Sequence, residues 1–256
     1  MRIAVLGATG VSGGHVVTEA ARRGHDVVAI ARNPSGIPAA GVQIAGADLQ
    51  SGRGLVDALA GVDAIIDCSN ITSASKATQF FTRAHQNLLH AREPTQPAHY
   101  VLLSIVGAHA VPMAYYKAKA AQERLWTADP SVSLVRSTQF HQFADQMLHR
   151  MGLGPIAVIP KMRVQPIAAE SAARVLVSVA ETGPTATVHE ISGPQEENLV
   201  RMARHLIDSG RTDSPRRFVV PLTIPGAAGR AIRDGSLLSP QAQPHGPGFE
   251  DWLAQN

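Results

Sequence analysis

Short apolar runs alternate with longer amphipathic stretches through the first half of the chain. An unbroken run of β-branched and other apolar residues is typical of a strand buried on both faces, whereas apolar residues three and four apart are typical of a helix. The pattern predicts strands at residues 3–6, 27–30, 42–45, 64–66, 100–103 and 132–136.

Helices are predicted between these strands. They cover residues 16–23 and 55–59, a segment that begins among Thr72, Ser73 and Ser75 and runs towards Pro94, and residues 113–127. Strands that alternate with helices in this order favour an α/β fold with a doubly wound parallel sheet, of the Rossmann type, with helices on both faces.

The pattern is looser after residue 138. It predicts helices at 143–151, 170–181, 199–207 and 226–233, strands at 156–159 and 187–191, irregular chain at 215–225 and a loop at 240–248, with Phe249 and Trp252 in a last turn. We therefore expect a single domain over residues 1–256. Residues 1–138 form its core, and residues 139–256 form a small C-terminal α/β cap.

A glycine-rich turn follows the first strand and opens the first helix. Gly7, Gly10 and Gly13 are spaced G-x-x-G-x-x-G, and Thr9 and Val11 lie between them. Glycines let the backbone turn sharply and approach a ligand closely, while the free N–H groups at a helix start face an anion. The context predicts a dinucleotide site, and a tight turn without a ligand is the alternative.

The end of the second strand bears on the choice of cofactor. An acidic residue at this point commonly binds the ribose 2′-hydroxyl of NAD, but this strand ends in Arg32 and Asn33. The guanidinium of Arg32 suits the 2′-phosphate of NADP, and Asn33 or Ser35 adds a neutral donor. The sequence favours NADP(H); the alternative is that Arg32 is an ordinary surface arginine.

A second group of polar residues follows the fifth strand. Tyr115 and Lys119 are spaced Tyr-x-x-x-Lys at the start of a helix, which places them one turn apart on one face. We expect the lysine charge to lower the pKa of the phenol, so that Tyr115 exchanges a proton near neutral pH, and the ammonium to reach a ribose. Ser104 ends the fifth strand, at the sheet edge where ligands bind.

Together these motifs resemble the atypical or extended branch of the short-chain dehydrogenase/reductase superfamily. The segment Gly7-Ala8-Thr9-Gly10 is similar to the G-A-T-G of its NmrA-like NAD(P)-binding group. The resemblance implies that Tyr115 is the acid/base and Lys119 its activator and ribose ligand. It also implies that Ser104 holds a substrate carbonyl, that Asp48 and Leu49 border the adenine, and that Cys68, Ser69 and Asn70 form the loop beside the nicotinamide.

Three functions remain open on these grounds. The first is an NADPH-dependent oxidoreductase that reduces a carbonyl or quinone-like acceptor. The second is a regulatory protein that senses NADP(H) without turnover, since the NmrA-like group includes proteins that bind the dinucleotide and reduce nothing. The third is a sugar-nucleotide epimerase or dehydratase, for which the chain after the sixth strand is short.

Composition and charge bear on whether the protein binds nucleic acid, a metal or a membrane. The chain has 256 residues, 45% hydrophobic and 17% charged, with a formal net charge of +3 from scattered basic residues, so we expect a small-molecule substrate and no nucleic acid. A single cysteine excludes an internal disulfide, and the histidine spacings do not indicate a metal. The lack of a leader or a membrane-length apolar run predicts a cytoplasmic protein that binds no membrane. Monomer and homodimer are equally compatible with the sequence.

Overall fold

The computed structural model describes residues 1–33, 41–71, 73–95, 99–185 and 187–255. In chain order, the strands are β1 (Arg2–Leu6), β2 (Asp26–Ala31), β3 (Gln43–Gly46), β4 (Ala64–Asp67), β5 (His99–Ile105), β6 (Val132–Ser137), β7 (Gly152–Leu153), β8 (Ile156–Pro160), β9 (Arg163–Val164), β10 (Val188–Ser192), β11 (Glu197–Asn198), β12 (Phe218–Leu222) and β13 (Gln243–Pro244). The helices are α1 (Val11–Arg22), α2 (Leu55–Ala58), α3 (Ala77–Thr95), α4 (Ala114–Trp126), α5 (Phe143–Arg150), α6 (Ala169–Thr182), α7 (Leu199–Asp208), α8 (Gly226–Arg233) and α9 (Phe249–Gln255).

The central sheet has eight strands in the order β13-β10-β6-β5-β4-β1-β2-β3. The pairs β1–β2, β1–β4, β2–β3 and β4–β5 are all parallel, with Leu6 opposite Ile30 on one side and opposite Asp67 on the other. The order of β1 to β6 is that of a doubly wound dinucleotide-binding sheet. The predicted α/β class and Rossmann-type parallel sheet are confirmed.

The described chain divides into two units. The first comprises residues 1–104, 114–136 and 169–189, in which α1 packs against α6 and α3 packs against α4. The strands β1, β2 and β4 are almost completely buried, as expected of a parallel sheet that is covered on both faces. Their apolar side chains pack with those of the helices; the largest in this cluster include Leu6, Ile30, Leu55, Phe81, Leu88, Tyr100 and Trp126.

An ion-pair network holds α1 against α6. The Arg23 guanidinium bonds Glu19 on its own helix at 2.7 Å and Glu181 on α6 at 2.6 Å. The hydrogen bond from Arg22 and the further bond from Arg23 lower the pKa of the Glu19 carboxyl to about 2, from an ordinary 4.5. Glu19 is 8% exposed, so its charge is partly shielded from water.

We expect Glu19→Gln to lower the free energy of unfolding at neutral pH by about 1–2 kcal/mol, after allowance for solvent screening. The carboxylate stabilises the fold fully above its unfolded pKa of 4.5, and this contribution is lost as the pH falls towards 2. Urea denaturation should therefore show the two proteins converging as the pH is lowered. Glu250→Gln is the control, because the Glu250 side chain is 73% exposed and should change stability by less than about 0.5 kcal/mol. If the difference in unfolding free energy between the wild-type protein and Glu19→Gln grew at acid pH, the stabilising role assigned to the Glu19 carboxylate would be contradicted.

The second unit comprises residues 105–113, 137–168 and 190–256. In it, β8 pairs antiparallel with β7 and parallel with β12, β9 pairs antiparallel with β11, and α5 packs against α7. Among the described residues, none of the helices has the length and apolar character needed to cross a membrane.

Two predictions of local structure are wrong. Residues 215–225 were expected to be irregular, but they contain β12, in which Pro221 lies opposite Ile159. A proline is tolerated at the edge of a sheet, where its missing N–H costs no ladder bond. The helix expected to begin among Thr72, Ser73 and Ser75 begins at Ala77. The chain turns first, with the Lys76 N–H donating to the Ser73 carbonyl oxygen at 3.1 Å. Thr72 lies outside the described residues.

Candidate functional site

A glycine-rich loop joins β1 to α1. Gly7 has a φ of +74°, a left-handed conformation that other residues rarely adopt. A Cβ at Gly7 would lie 2.9 Å from the Cys68 carbonyl oxygen, and a Cβ at Gly13 would lie 2.1 Å from the Gly7 carbonyl oxygen. The Gly10 N–H donates to the Gly7 carbonyl oxygen at 2.9 Å and closes the turn. Sequence and geometry therefore agree on why these positions are glycines.

The N-terminus of α1 is left open by this loop. Gly10 is the N-cap residue and contributes no side-chain hydrogen bond, and the first turn contains no acidic residue. Thr9, Gly10 and Val11 are exposed. The partial positive charge of a helix N-terminus attracts anions, and open N–H groups can bind phosphate oxygens. The loop fits the pyrophosphate of a dinucleotide.

Three residues of the candidate nicotinamide loop follow β4. Cys68 is buried, and burial raises the pKa of its thiol to about 12, so it is a neutral packing residue rather than a nucleophile. Ser69 is 8% exposed, and its hydroxyl oxygen is buried with no hydrogen-bond partner in the part of the chain that the structure describes. Because an unsatisfied buried hydroxyl is costly, Ser69 fits a site where a bound polar group supplies the partner. Asn70 is exposed.

Arg32 and Asn33 directly follow β2 and are exposed. Asp48 lies near this charge but uses its carboxylate locally, since it accepts the Gln50 N–H at 3.0 Å and the Ser51 hydroxyl at 2.9 Å. The Gln50 hydrogen bond is the main cause of the lowered pKa of Asp48, and the charge of Arg32 adds to it. Ser35, the other candidate donor, lies outside the described residues.

Leu49 has a different environment from its neighbour Asp48. Its side chain is buried in the core of the first unit. Its carbonyl oxygen accepts the Asn87 side-chain amide at 2.8 Å. Of the two residues expected beside the adenine, Leu49 therefore has its side chain turned into the protein interior.

Tyr115 and Lys119 lie on α4, but their polar atoms have different partners. Tyr115 is half-buried, and its Oη donates to Asn70 Oδ1 at 3.1 Å. Lys119 is 3% exposed, and its Nζ donates to the Leu103 carbonyl oxygen at 2.9 Å and to Gln122 Oε1 at 2.5 Å. The lysine therefore joins α4 to β5 in this structure.

The pKa of the Tyr115 phenol is shifted in the opposite direction to the one expected from the sequence. Burial raises the pKa of the Tyr115 phenol, which stays protonated at neutral pH. Burial lowers the pKa of Lys119 to about 8, although the negative charges of Asp67 and Glu123 oppose that shift. The prediction that Lys119 lowers the pKa of Tyr115 is wrong for this structure, because the ammonium is held by Leu103 and Gln122 and does not offset the burial of the phenol.

Ser104 is 1% exposed, near the end of β5. Its hydroxyl donates to Glu123 Oε1 at 2.5 Å. Glu123 is also 1% exposed and pairs with Arg136, whose Nη2 lies 2.8 Å from Oε2. Because a hydroxyl has one proton to donate, Ser104 uses its proton inside the protein.

Glu123 and Arg136 are the residues that sequence reasoning missed. Arg136 directly follows the apolar residues Leu134 and Val135 in β6, and this placement was the available signal, whereas Glu123 lies between Gln122 and Arg124 and carried no such signal. A buried charge is costly unless it is paired and hydrogen-bonded, so a charged residue in a buried strand suggests a partner in a neighbouring element.

The second unit contains a separate cavity of about 200 Å³, lined by His141, Gln142, Asp145, Leu206, Arg211, Trp252 and Leu253. Of the residues just after β6, His141 lies in the wall of this cavity. His141 is 1% exposed and stacks on Trp252 with ring centroids 5.1 Å apart, so it contributes to packing as well as to the cavity wall.

A cluster of His149 with two carboxylates lies in the same unit. His149 Nε2 lies 2.9 Å from Asp213 Oδ1, and Nδ1 lies 3.4 Å from Asp145 Oδ2. The hydrogen bond with the Asp145 backbone and the nearby negative charges raise the pKa of His149. The raised pKa favours the protonated imidazole, which forms ion pairs with both carboxylates.

Comparisons with known proteins agree with this description. A crystal structure of an NADPH-dependent quinone oxidoreductase from Escherichia coli, complexed with NADPH, is 17% identical to the chain, with a TM-score of 0.74 over 99% of each chain. A nucleoside-diphosphate-sugar epimerase from Staphylococcus aureus is 17% identical, with a TM-score of 0.73 over 99% of each chain. At these identities the likeness shows the fold. No curated protein matches the sequence significantly.

The family model described as NAD(P)H-binding matches residues 7–141, from the first glycine of the loop to the residues after β6. This match covers more than half of the 256 residues and includes every residue proposed above for the cofactor and the proton transfer. The chain therefore belongs to the NAD(P)H-binding family, in agreement with its resemblance to the NmrA-like group.

Proposed function

We propose that the protein is an NADPH-dependent oxidoreductase of the atypical short-chain type, which reduces a carbonyl or quinone-like acceptor. The observation that carries the proposal is the half-buried Tyr115 phenol, which is held by Asn70 and protonated at neutral pH. Tyr115 follows β5 and Asn70 follows β4, which are adjacent strands of the sheet. Ligands of doubly wound sheets bind at this carboxyl edge, where the glycine loop also lies.

We propose that different residues at this edge bind different parts of the cofactor. We assign Gly7, Thr9, Gly10, Val11 and Gly13 to the pyrophosphate, Arg32 and Asn33 to the 2′-phosphate, Asp48 and Leu49 to the adenine side, and Cys68, Ser69 and Asn70 to the nicotinamide side. We also propose that residues 1–138 form the cofactor-binding core of a single domain and residues 139–256 its substrate portion.

The protonation state of Tyr115 determines whether it donates or accepts a proton. A bound nicotinamide dinucleotide supplies the hydride for such a reduction. Tyr115 supplies the proton at the acceptor oxygen, because a phenol whose pKa is raised is a proton donor at neutral pH. The phenolate then regains a proton from water. The protonated phenol is the form that the reduction requires.

Ser104 and Lys119 can act in this reaction only if each breaks a hydrogen bond that it now makes within the protein. To hold the acceptor oxygen, Ser104 must release Glu123, and to reach a ribose, Lys119 must release Leu103 or Gln122. Because the polar atoms of both residues are already hydrogen-bonded within the protein, they favour the second candidate function. This is a protein that senses NADP(H) and changes a partner contact without turnover. The fold shared with the quinone oxidoreductase, whose structure contains NADPH, supports the first.

One experiment separates the two functions. The purified protein is titrated with NADPH and with NADH by calorimetry, and NADPH consumption is then followed with a panel of quinones, aldehydes and ketones. We expect binding of NADPH and consumption with at least one acceptor class. Tight binding without consumption for every acceptor would reject the oxidoreductase and support the sensor.

We expect Arg32→Ala to lower the preference for NADPH over NADH by about tenfold or more, because a guanidinium–phosphate pair is a strong charge-assisted interaction. The two dissociation constants, measured by calorimetry, give this ratio. Arg53→Ala is the matched control, since Arg53 is also exposed and also acts on the Asp48 carboxyl. An unchanged ratio in Arg32→Ala would reject the NADP assignment.

A further inference from the structure

We propose that Asn70 is an acceptor-binding residue: its Nδ2 amide donates to the carbonyl oxygen that is reduced, and its Oδ1 holds the Tyr115 hydroxyl until the acceptor binds. The inference rests on the proposed function. The family resemblance assigns the binding of the substrate carbonyl to Ser104, whereas this inference assigns it to Asn70. This role is additional to the position of Asn70 in the loop that we propose lies beside the nicotinamide.

The orientation of the Asn70 amide follows from its contacts. Oδ1 lies 2.8 Å from the Ile71 backbone N–H and 3.1 Å from Tyr115 Oη. A backbone N–H only donates, so the side-chain atom that faces it is the acceptor oxygen. The other atom is therefore Nδ2, whose two N–H donors have no hydrogen-bond partner among the residues that the structure describes. Asn70 is exposed, so a ligand can reach these donors.

The other candidate donors are already in use. The Ser104 proton goes to Glu123, and Ser104 is 1% exposed. The Lys119 ammonium is 3% exposed and donates to Leu103 and Gln122. Asn70 and Tyr115 are the pair at this edge that an acceptor meets without breaking a buried contact.

The pair also indicates the chemical class of the acceptor. A carbonyl oxygen has two lone pairs and accepts two hydrogen bonds, one from the Asn70 amide and one from the Tyr115 hydroxyl. The Tyr115 proton turns from Asn70 Oδ1 to the acceptor oxygen when the acceptor binds, which breaks an exposed hydrogen bond. Both side chains are uncharged at neutral pH, so together they favour an uncharged ketone, aldehyde or quinone. On reduction of a ketone or aldehyde, the Tyr115 proton moves to this oxygen, and a bound dinucleotide would supply the hydride for the carbonyl carbon. For a quinone, Tyr115 would supply the proton to one of its two oxygens, and the electron pair and the second hydrogen of the hydroquinone would come from the hydride.

Two substitutions separate orientation of Tyr115 from binding of the acceptor. Asn70→Ala removes both functions, whereas Asn70→Asp keeps an acceptor for the Tyr115 hydroxyl and the Ile71 N–H but lacks the amide donors. With the best acceptor of the panel, we expect both variants to lower kcat/KM by about 10- to 100-fold, with a higher KM, because each loses the donor to the acceptor oxygen.

A second readout does not need turnover. In the protein without cofactor, tyrosinate formation is followed by ultraviolet absorbance during an alkaline titration, and the Tyr115→Phe protein identifies the signal of Tyr115. We expect Asn70→Asp to raise the pKa of Tyr115, because a neighbouring carboxylate disfavours a phenolate. An unchanged pKa would show that residue 70 does not contact the phenol and would overturn the inference.

The remaining outcomes are distinguishable. Full activity in Asn70→Ala would overturn this inference and leave the oxidoreductase intact. Full activity in Asn70→Asp alone would show that only Oδ1 matters and would overturn the donor role. A larger loss in Ser104→Ala than in Asn70→Ala would return that role to Ser104. A wild-type protein that consumes no NADPH with any acceptor would overturn the proposed function and this inference together.

Discussion

Tyr115→Phe is expected to lower kcat for reduction of the best acceptor by about 100- to 10,000-fold, the range contributed by a positioned general acid. The ring and its packing are kept, and only the hydroxyl that donates to Asn70 is lost. Binding of NADPH should change less than about threefold, because we assign its phosphates, including the 2′-phosphate, to other residues. Steady-state kinetics and calorimetric titration of the same preparation measure the two quantities.

The neighbouring tyrosine is the matched control for this prediction. Tyr116 is 8% exposed and lies with its ring edge-to-face against Tyr115, at a centroid distance of 5.9 Å. Tyr116→Phe keeps that ring contact and should retain the wild-type kcat. Equal activity in Tyr115→Phe and wild type would reject Tyr115 as the acid, and equal losses in both variants would show an effect of packing.

Gly13→Ala is expected to weaken NADPH binding by about 100-fold, the order of effect that a displacement of about 1 Å has on a positioned group. A Cβ at this position would lie 2.1 Å from the Gly7 carbonyl oxygen and 2.7 Å from the Gly7 carbonyl carbon. These are backbone atoms that cannot rotate away, so the loop or α1 has to move. The phosphate-binding N–H groups at the start of α1 then lose their alignment.

The adjacent residue provides a sharp control. Gly14 lies in the same helix, and a Cβ there would be 3.6 Å from the Ala8 carbonyl oxygen, an ordinary contact. Gly14→Ala should keep NADPH affinity and stabilise α1 by about 0.5–1 kcal/mol, because alanine loses less backbone entropy than glycine. Circular dichroism and thermal unfolding establish that both variants are folded. Retained affinity in folded Gly13→Ala would contradict the phosphate assignment.

The first half of the fold could be predicted because its signals are local. Each of the strands β1 to β6 is a short apolar run, and the helices between them carry a repeating apolar face. The strand β12 lacked such a signal. It contains Pro221, has mostly exposed side chains, and is defined by its pairing with β8 more than fifty residues earlier, as in the pair Phe218 and Ile156.

Within the candidate site, the glycines were the most predictable part. Gly7 needs a left-handed backbone and Gly13 a close backbone contact, and both requirements select glycine directly. The polar side chains were less predictable. The four-residue spacing of Tyr115 and Lys119 places them on one helical face, but it does not say whether a charge faces the phenol or the protein interior.

By itself, the sequence of this protein determined the order of strands and helices in the first half of the chain, the glycine loop after β1 and the residue types at the carboxyl edge of the sheet. These follow from the periodicity and backbone requirements of neighbouring residues. Only the tertiary structure decided the partners of the polar groups. The pairs Tyr115–Asn70, Ser104–Glu123 and Lys119–Leu103 join residues 45, 19 and 16 positions apart. The buried polar atoms of Ser104 and Lys119 take the partners that packing brings within hydrogen-bond distance, because leaving them unpaired is costly.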